Sequence, residues 1–157
     1  MNAFRRGVRL GIDVGSVRVG ISRCDRDGLL AVPVETVPRG EGTLARIRAL
    51  CDEHEPIELL VGLPLNLRGE DTPSTRDARE FAAQLAADLG LPVRLVDERL
   101  STVSAHTALR SSGRTQRQSR SMVDQVAAVV FLQQAIDTEK STGSPAGVLI
   151  EAPEESS

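Results

Sequence analysis

The sequence predicts an α/β domain: a five-stranded mixed sheet, with three antiparallel strands followed by two strands fed by helical crossovers, covered by helices. Three observations predict it. The first three apolar, β-branched runs are joined by short turn signals rather than by helices. After residue 40, strand-like runs alternate with helical periodicity. The 157 residues, 40% of them hydrophobic, are enough for one domain with a real core.

Residues 1–7 read as a flexible leader, 8–138 as the folded domain and 139–157 as a disordered acidic tail carrying Gly, Ser and Pro. Val8 to Val14 and Arg18 to Cys24 are the first two strands. Asp25-Arg26-Asp27-Gly28 reads as a hairpin turn, because Asp-Gly tolerates the positive φ that a tight turn needs. Leu29 to Val37 is the third strand, and Pro33 within it calls for an edge position or a bulge. Thr43 is the expected N-cap of a helix with Leu44, Ile47, Leu50 and Cys51 in helical spacing, stopped by Pro56. Ile57 to Gly62 is wholly apolar after Glu58, as a central strand would be. The loop GLPLNLRG (62–69) mixes Gly, Pro and Asn with leucines, so it is expected to pack. Ser74 and Asp77 have capping-box spacing before a helix with Phe81, Leu85 and Leu89 on one face, closed by Gly90. Pro92 to Asp97 is the fifth strand, and Glu98 follows at its end. A helix from Ser101 or Thr102 to Leu109, an Arg-rich mobile loop from Ser111 to Arg120 and a final helix from Ser121 to Thr138 complete the domain.

Composition narrows the function. Three Phe with no Trp and no Tyr leave the core to aliphatic residues and argue against an aromatic base-stacking platform. The net charge of −3 does not describe a general polyanion binder. The distribution says more: Lys140 is the only Lys, and Arg99 to Val123 holds five Arg and no acid. That stretch suits a local phosphate-contacting face, with Arg114, Arg117 and Arg120 as candidates. A solvated helix face is the plainer reading of the same charges. With no secretory signal and no membrane-length apolar run, the two lone cysteines fit a reduced, cytoplasmic setting and no membrane partner. Cys51 falls on a core face. Cys24, near a hairpin turn, is placed where it could be exposed and form an intermolecular disulfide on oxidation. Cys51 and His54 have C-x-x-H spacing, but no second pair completes a zinc site.

Asp13 sits inside an apolar strand, where a carboxylate is costly unless a cation meets it. Gly15, two residues later, lets backbone and a bulky anion come close. Phosphate binding as in actin-like ATPases, metal binding as in RNase H-like nucleases and a structural Asp beside a turn all fit that stretch. Glu98 ends the fifth strand, and Asp124 lies in the first turns of the final helix with Ala127 and Ala128 leaving room near it. Carboxylates from separate elements, meeting at strand ends, are the oxygen ligands that Mg²⁺ or Mn²⁺ requires. Two such ions about 3.5–4 Å apart activate a water and stabilise a leaving oxygen. Asp97 competes with Glu98, because successive strand residues face opposite ways. Taken singly, Glu98 reads better as an ordinary surface residue and Asp124 as a helix-start acid; as a set in this topology the acids read as a site.

The segments GIDVGSVRVG (11–20), VGLPLNLRGED (61–71), DERLST (97–102) and VDQVAA (123–128), in that order, resemble the YqgF/RuvX family of pre-16S rRNA nucleases, also described as Holliday junction resolvases. The resemblance spans about residues 8–137. It implies an RNase H-like fold and a nuclease dependent on Mg²⁺ or Mn²⁺, as a pair of ions. It carries the acidic site onto Asp13, Glu98 and Asp124, and so selects Glu98 over Asp97. It implies nucleic acid as partner, pre-rRNA or branched DNA, with Asn66 and Arg99 near the substrate backbone. Where the family pattern has a Lys three or four residues before the final Asp, this chain has Ser121 and Arg120, and Arg120 is the candidate for that contact. Junction resolution would require a two-fold homodimer, whereas rRNA processing would not. Two other classes compete. An actin-like nucleotide-binding fragment would need a second subdomain, and this chain has length for one. A non-catalytic ribosome-assembly module has no use for all three acids.

Overall fold

β1 (Arg9–Val14), β2 (Arg18–Cys24) and β3 (Ala31–Pro38) are followed by α1 (Thr43–His54), β4 (Glu58–Leu63), α2 (Pro73–Leu89), β5 (Val93–Asp97), α3 (Gln116–Thr142) and β6 (Val148–Ile150). The computed structural model describes residues 4–98 and 116–150, with 116–125 described as helical backbone alone. The strands form one sheet in the order β3-β2-β1-β4-β5-β6. β1 is antiparallel to β2 and parallel to β4, and β4 is parallel to β5. The most continuous aliphatic runs therefore occupy the middle of the sheet, where both faces are covered.

Alternation along the strands sorts side chains onto two faces. Leu10, Ile12, Leu59, Val61 and Leu95 join Ile47 and Leu50 of α1 and Phe81 and Leu85 of α2 in the larger core. Leu60 and Val96 join Ala128, Phe131 and Leu132 of α3 on the opposite face. There the helix lies close to the sheet. A Cβ on Gly11 would meet the Ala128 carbonyl at 3.0 Å and Leu132 at 3.1 Å, and Ser22 Oγ donates to that carbonyl at 2.8 Å. α3 runs antiparallel to β1, since Ala128 crosses Gly11 while Glu139 accepts from Arg9 Nη2 at 2.9 Å. Among the described residues no helix is long and apolar enough to cross a membrane.

Several expectations need correction. The sheet has six strands, because β6 pairs antiparallel with β5. α3 continues to Thr142, so 139–150 is folded rather than tail, and 151–157 lies outside the described residues. Residues 4–7 are docked, not a loose leader. The Arg9 guanidinium lies over the Phe4 ring at 4.5 Å, Arg5 binds Glu58 at 2.8 Å and Glu139 at 2.7 Å, and Gly7 N donates to Arg26 O. α3 begins at Gln116, so 116–120 is helical; the helix expected over 101–109 and the start of the Arg-rich loop lie outside the described residues. Cys24 is fully buried and accepts from Arg9 N at 3.3 Å. Thr72, with Thr75 reciprocating, caps α2 in place of Ser74 with Asp77, because Pro73 sets the first turn two residues earlier. The cap of α1 is Gly42, and Thr43 Oγ1 instead accepts from Gly40 N. β3 starts at Ala31 because the Leu29 and Leu30 amides donate to Asp25 Oδ1. The Asp25–Gly28 turn forms, with Gly28 at φ 63°. β3 is an edge strand, and its register shifts at Ile21/Ser22, opposite Pro33.

Candidate active site

β1, β4 and β5 are parallel, so their carboxyl ends reach one edge of the sheet. Asp13 follows Ile12, which pairs with Val61, and so stands beside Gly62. Alternation turns both toward the α3 face, two residues beyond Gly11 and Leu60. Glu98 extends β5, its N–H donating to Leu63 O at 3.3 Å. Its side chain turns inward and is 5% exposed, and Asp13 is 9% exposed. The Glu98 carboxylate fills the space that a Gly62 side chain would take, with Phe131 Cε1 of α3 closing the same spot at 3.0 Å. Asp97 points the other way and is exposed. Of the two competing acids, only Glu98 is on the face with Asp13.

Asp124 lies one turn before Ala128 on α3. Four helical residues advance about 6 Å and two strand residues about 6.6 Å. The Asp124 backbone therefore stands level with Asp13, given that Ala128 crosses Gly11. Among the described residues, no three His, Cys, Asp or Glu side chains form a metal-holding group. Asp13 and Glu98 supply two acids, and the Asp124 side chain is outside that set.

The other sequence candidates are distributed around this edge. Gly15 makes the tight β1–β2 turn: its N–H donates to Arg18 O at 2.9 Å, and a Cβ would meet that carbonyl at 2.7 Å. Its own carbonyl accepts from Arg39 Nη1 at 3.0 Å, and Arg39 forks onto Asp77. The hydrogen bonds from Arg39 hold the Asp77 carboxyl below its ordinary range. Asn66 organises its own loop, with Oδ1 accepting from Arg68 N and Glu70 N at 2.9 Å each. Arg117 and Arg120 fall on the first turns of α3, while Arg99 and Arg114 lie outside the described residues. Sequence reasoning passed over Gly62. The signal that could have found it is a glycine interrupting an aliphatic strand, which marks close approach.

A family model described as RuvX, Holliday junction resolvase, matches residues 7–138. The chain belongs to the RuvX family. A "Putative pre-16S rRNA nuclease" of Clavibacter michiganensis subsp. michiganensis is 54% identical to this RuvX chain over 150 residues, covering 94% of it and 93% of the relative. The protein of the same name from Streptomyces coelicolor is 49% identical over 151 residues, covering 94% and 90%. Among solved structures, T. thermophilus RuvC in complex with Holliday junction substrate is similar with a TM-score of 0.53 at 19% identity, covering 88% of this chain and 98% of RuvC. That likeness establishes the fold of the RuvX chain as RuvC-like, within the RNase H-like α/β class. The family expected from the four motifs is the family found, and it is a family of nucleases.

Proposed function

We propose that this chain is a divalent-metal-dependent nuclease acting in 5′-end maturation of pre-16S rRNA in the cytoplasm, with Asp13, Glu98 and Asp124 as its metal-holding residues. One observation carries the reading: the Glu98 carboxylate is buried in the space left by Gly62, beside Asp13. Two recessed carboxylates with a third acid level on α3 make an all-oxygen donor set, which fits Mg²⁺ or Mn²⁺ rather than zinc. A pair of such ions would supply an activated water and charge compensation at the leaving oxygen. The protein would hold them at fixed strand ends. The Gly15 turn, the Asn66 loop and Arg99, Arg114, Arg117 and Arg120 would meet the substrate backbone. The name of the relatives supports pre-rRNA as substrate. The family description favours a second reading, cleavage of four-way DNA junctions, which needs a two-fold homodimer.

The test is cleavage in Mg²⁺ or Mn²⁺ of a pre-16S 5′ segment and a four-way junction, by wild type and by Asp13→Asn. Wild type alone should cut the rRNA segment at a fixed position. Symmetric cutting of the junction would move the assignment to the second reading. Binding of both without cleavage would put the assembly-module reading first. Replacing Arg114 and Arg117 should weaken binding and lower its salt slope by about one per lost phosphate contact.

A further inference from the structure

Val17 and Leu67 are aliphatic side chains left in water, 67% and 94% exposed. They occupy the loops that leave the carboxyl ends of β1 and β4, the strand ends that carry Asp13 and Gly62. Neither loop is slack. Arg39 N holds Val17 O at 2.9 Å. Around Leu67, the Asn66 carboxamide accepts from Arg68 and Glu70, Asn66 N donates to Glu70 O at 3.1 Å, and Gly69 N donates to Asn66 O at 2.9 Å. Thr75 Oγ1 ties the base of the loop to Pro64 O at 2.8 Å. Leu67 is thus held at the tip of an ordered turn, next to exposed Arg68, and five residues of chain limit its distance from Gly62 to about 17 Å.

Single exposed leucines are ordinary. This one lies on the loop that leaves the strand end of Gly62, beside which Asp13 and Glu98 are recessed, so a phosphate held in a regular duplex needs help to reach them. The chain has no Trp or Tyr with which to stack a freed base. Apolar side chains such as Leu entering between base steps are one means of unstacking a duplex. We propose that Leu67 is an apolar wedge that enters between stacked bases beside the phosphate to be cut, with Arg68 gripping the backbone. The proposal rests on the nuclease reading for its purpose, but base unstacking can be measured without cleavage.

The experiment uses the full chain and a pre-16S stem with 2-aminopurine at the target step, in Ca²⁺ to observe binding and in Mg²⁺ to observe cleavage. Wild type should raise the fluorescence on binding. Leu67→Ser should abolish the rise at unchanged melting temperature, and Leu67→Met should restore it. Cleavage of the paired stem by Leu67→Ser should fall about tenfold, while a stem mismatched at that step should be cut at the wild-type rate. An equal fluorescence rise in Leu67→Ser, or equal slowing on paired and mismatched stems, overturns the wedge. A rise that depends on Leu67, without cleavage by wild type, keeps the wedge and removes the nuclease reading.

Discussion

α3 packs across β1, β2 and β3 and also touches β4 and β5, and the two ends of the parallel strands β1, β4 and β5 beneath it are built differently. At the amino ends of the strands, Arg5, Arg9 and Arg94 meet Glu58 and Glu139. Arg9, Glu58 and Glu139 are buried; Glu139 pairs with two guanidiniums and Glu58 with three, as buried charge requires. At the carboxyl ends the same strands present Asp13, Gly62 and Glu98, and the helix presents the position of Asp124. One end combines long cations with acids and fastens the helix. The other brings acids together and uses a glycine to seat one of them. The difference lies in charge sign and side-chain volume, not in backbone. It separates a region of paired charges from one where two carboxylates, Asp13 and Glu98, are recessed at the strand ends.

Substitutions at the two ends should have opposite signatures. Asp13→Asn should lower cleavage by about a thousandfold, the upper range for loss of transition-state charge stabilisation, with thermal melting unchanged. A fold lost together with activity would erase the distinction between the ends. Glu139→Gln should do the reverse, costing about 3 kcal/mol for a broken buried ion pair, or roughly 10 °C in melting temperature at this size, with turnover of the folded fraction retained. Its pH dependence has a definite sign. Burial pushes the Glu139 carboxyl up, but the Arg5 hydrogen bonds and the Arg9 charge outweigh this and hold it below its ordinary 4.5. Its contribution is present above that value and lost as pH falls through the lower folded-state value. In urea melts, the stability gap between wild type and Glu139→Gln should therefore close on acidification.

A smaller effect sharpens the comparison. Gly62→Ala places a methyl against the Glu98 carboxylate and Phe131. Activity should fall about 10- to 100-fold, as when a supporting contact to a metal ligand is lost, while melting shifts by only a few degrees. An unchanged rate would show that the seat of Glu98 does not matter. The smallest effect is expected from Asp77→Asn, which breaks a partly exposed pair with Arg39 and should cost under about 1 kcal/mol in chemical denaturation.

The middle of the sheet was legible because β1, β4 and β5 are runs of aliphatic residues bounded by turn signals. Pro33 announced both the edge and the bulge of β3. Alternation alone could not separate Asp97 from Glu98; the fold buries Glu98 and leaves Asp97 exposed. The losses were long-range. Val148–Ile150 is too short to show periodicity within a tail-like composition, and becomes a strand only because β5 offers its edge. Arg5 looks like leader until Glu58 and Glu139 are brought to it by the fold. Gly62 has a spatial reason that no local window contains, a carboxylate arriving from another strand.

Arg5 and Glu139 bind each other across 134 positions of sequence. Synthesis delivers the two partners at opposite times. The face under α1 and α2 can be covered once β5 has emerged, but the Gly11 face waits for α3. At about 5–20 residues per second, Asp124 follows Asp13 by roughly ten seconds. The clasp between the first residues and the last helix and the α3 cover over the strand ends of Asp13 and Gly62 therefore form together, late. The nascent chain holds the pieces of its candidate site well before it holds the site.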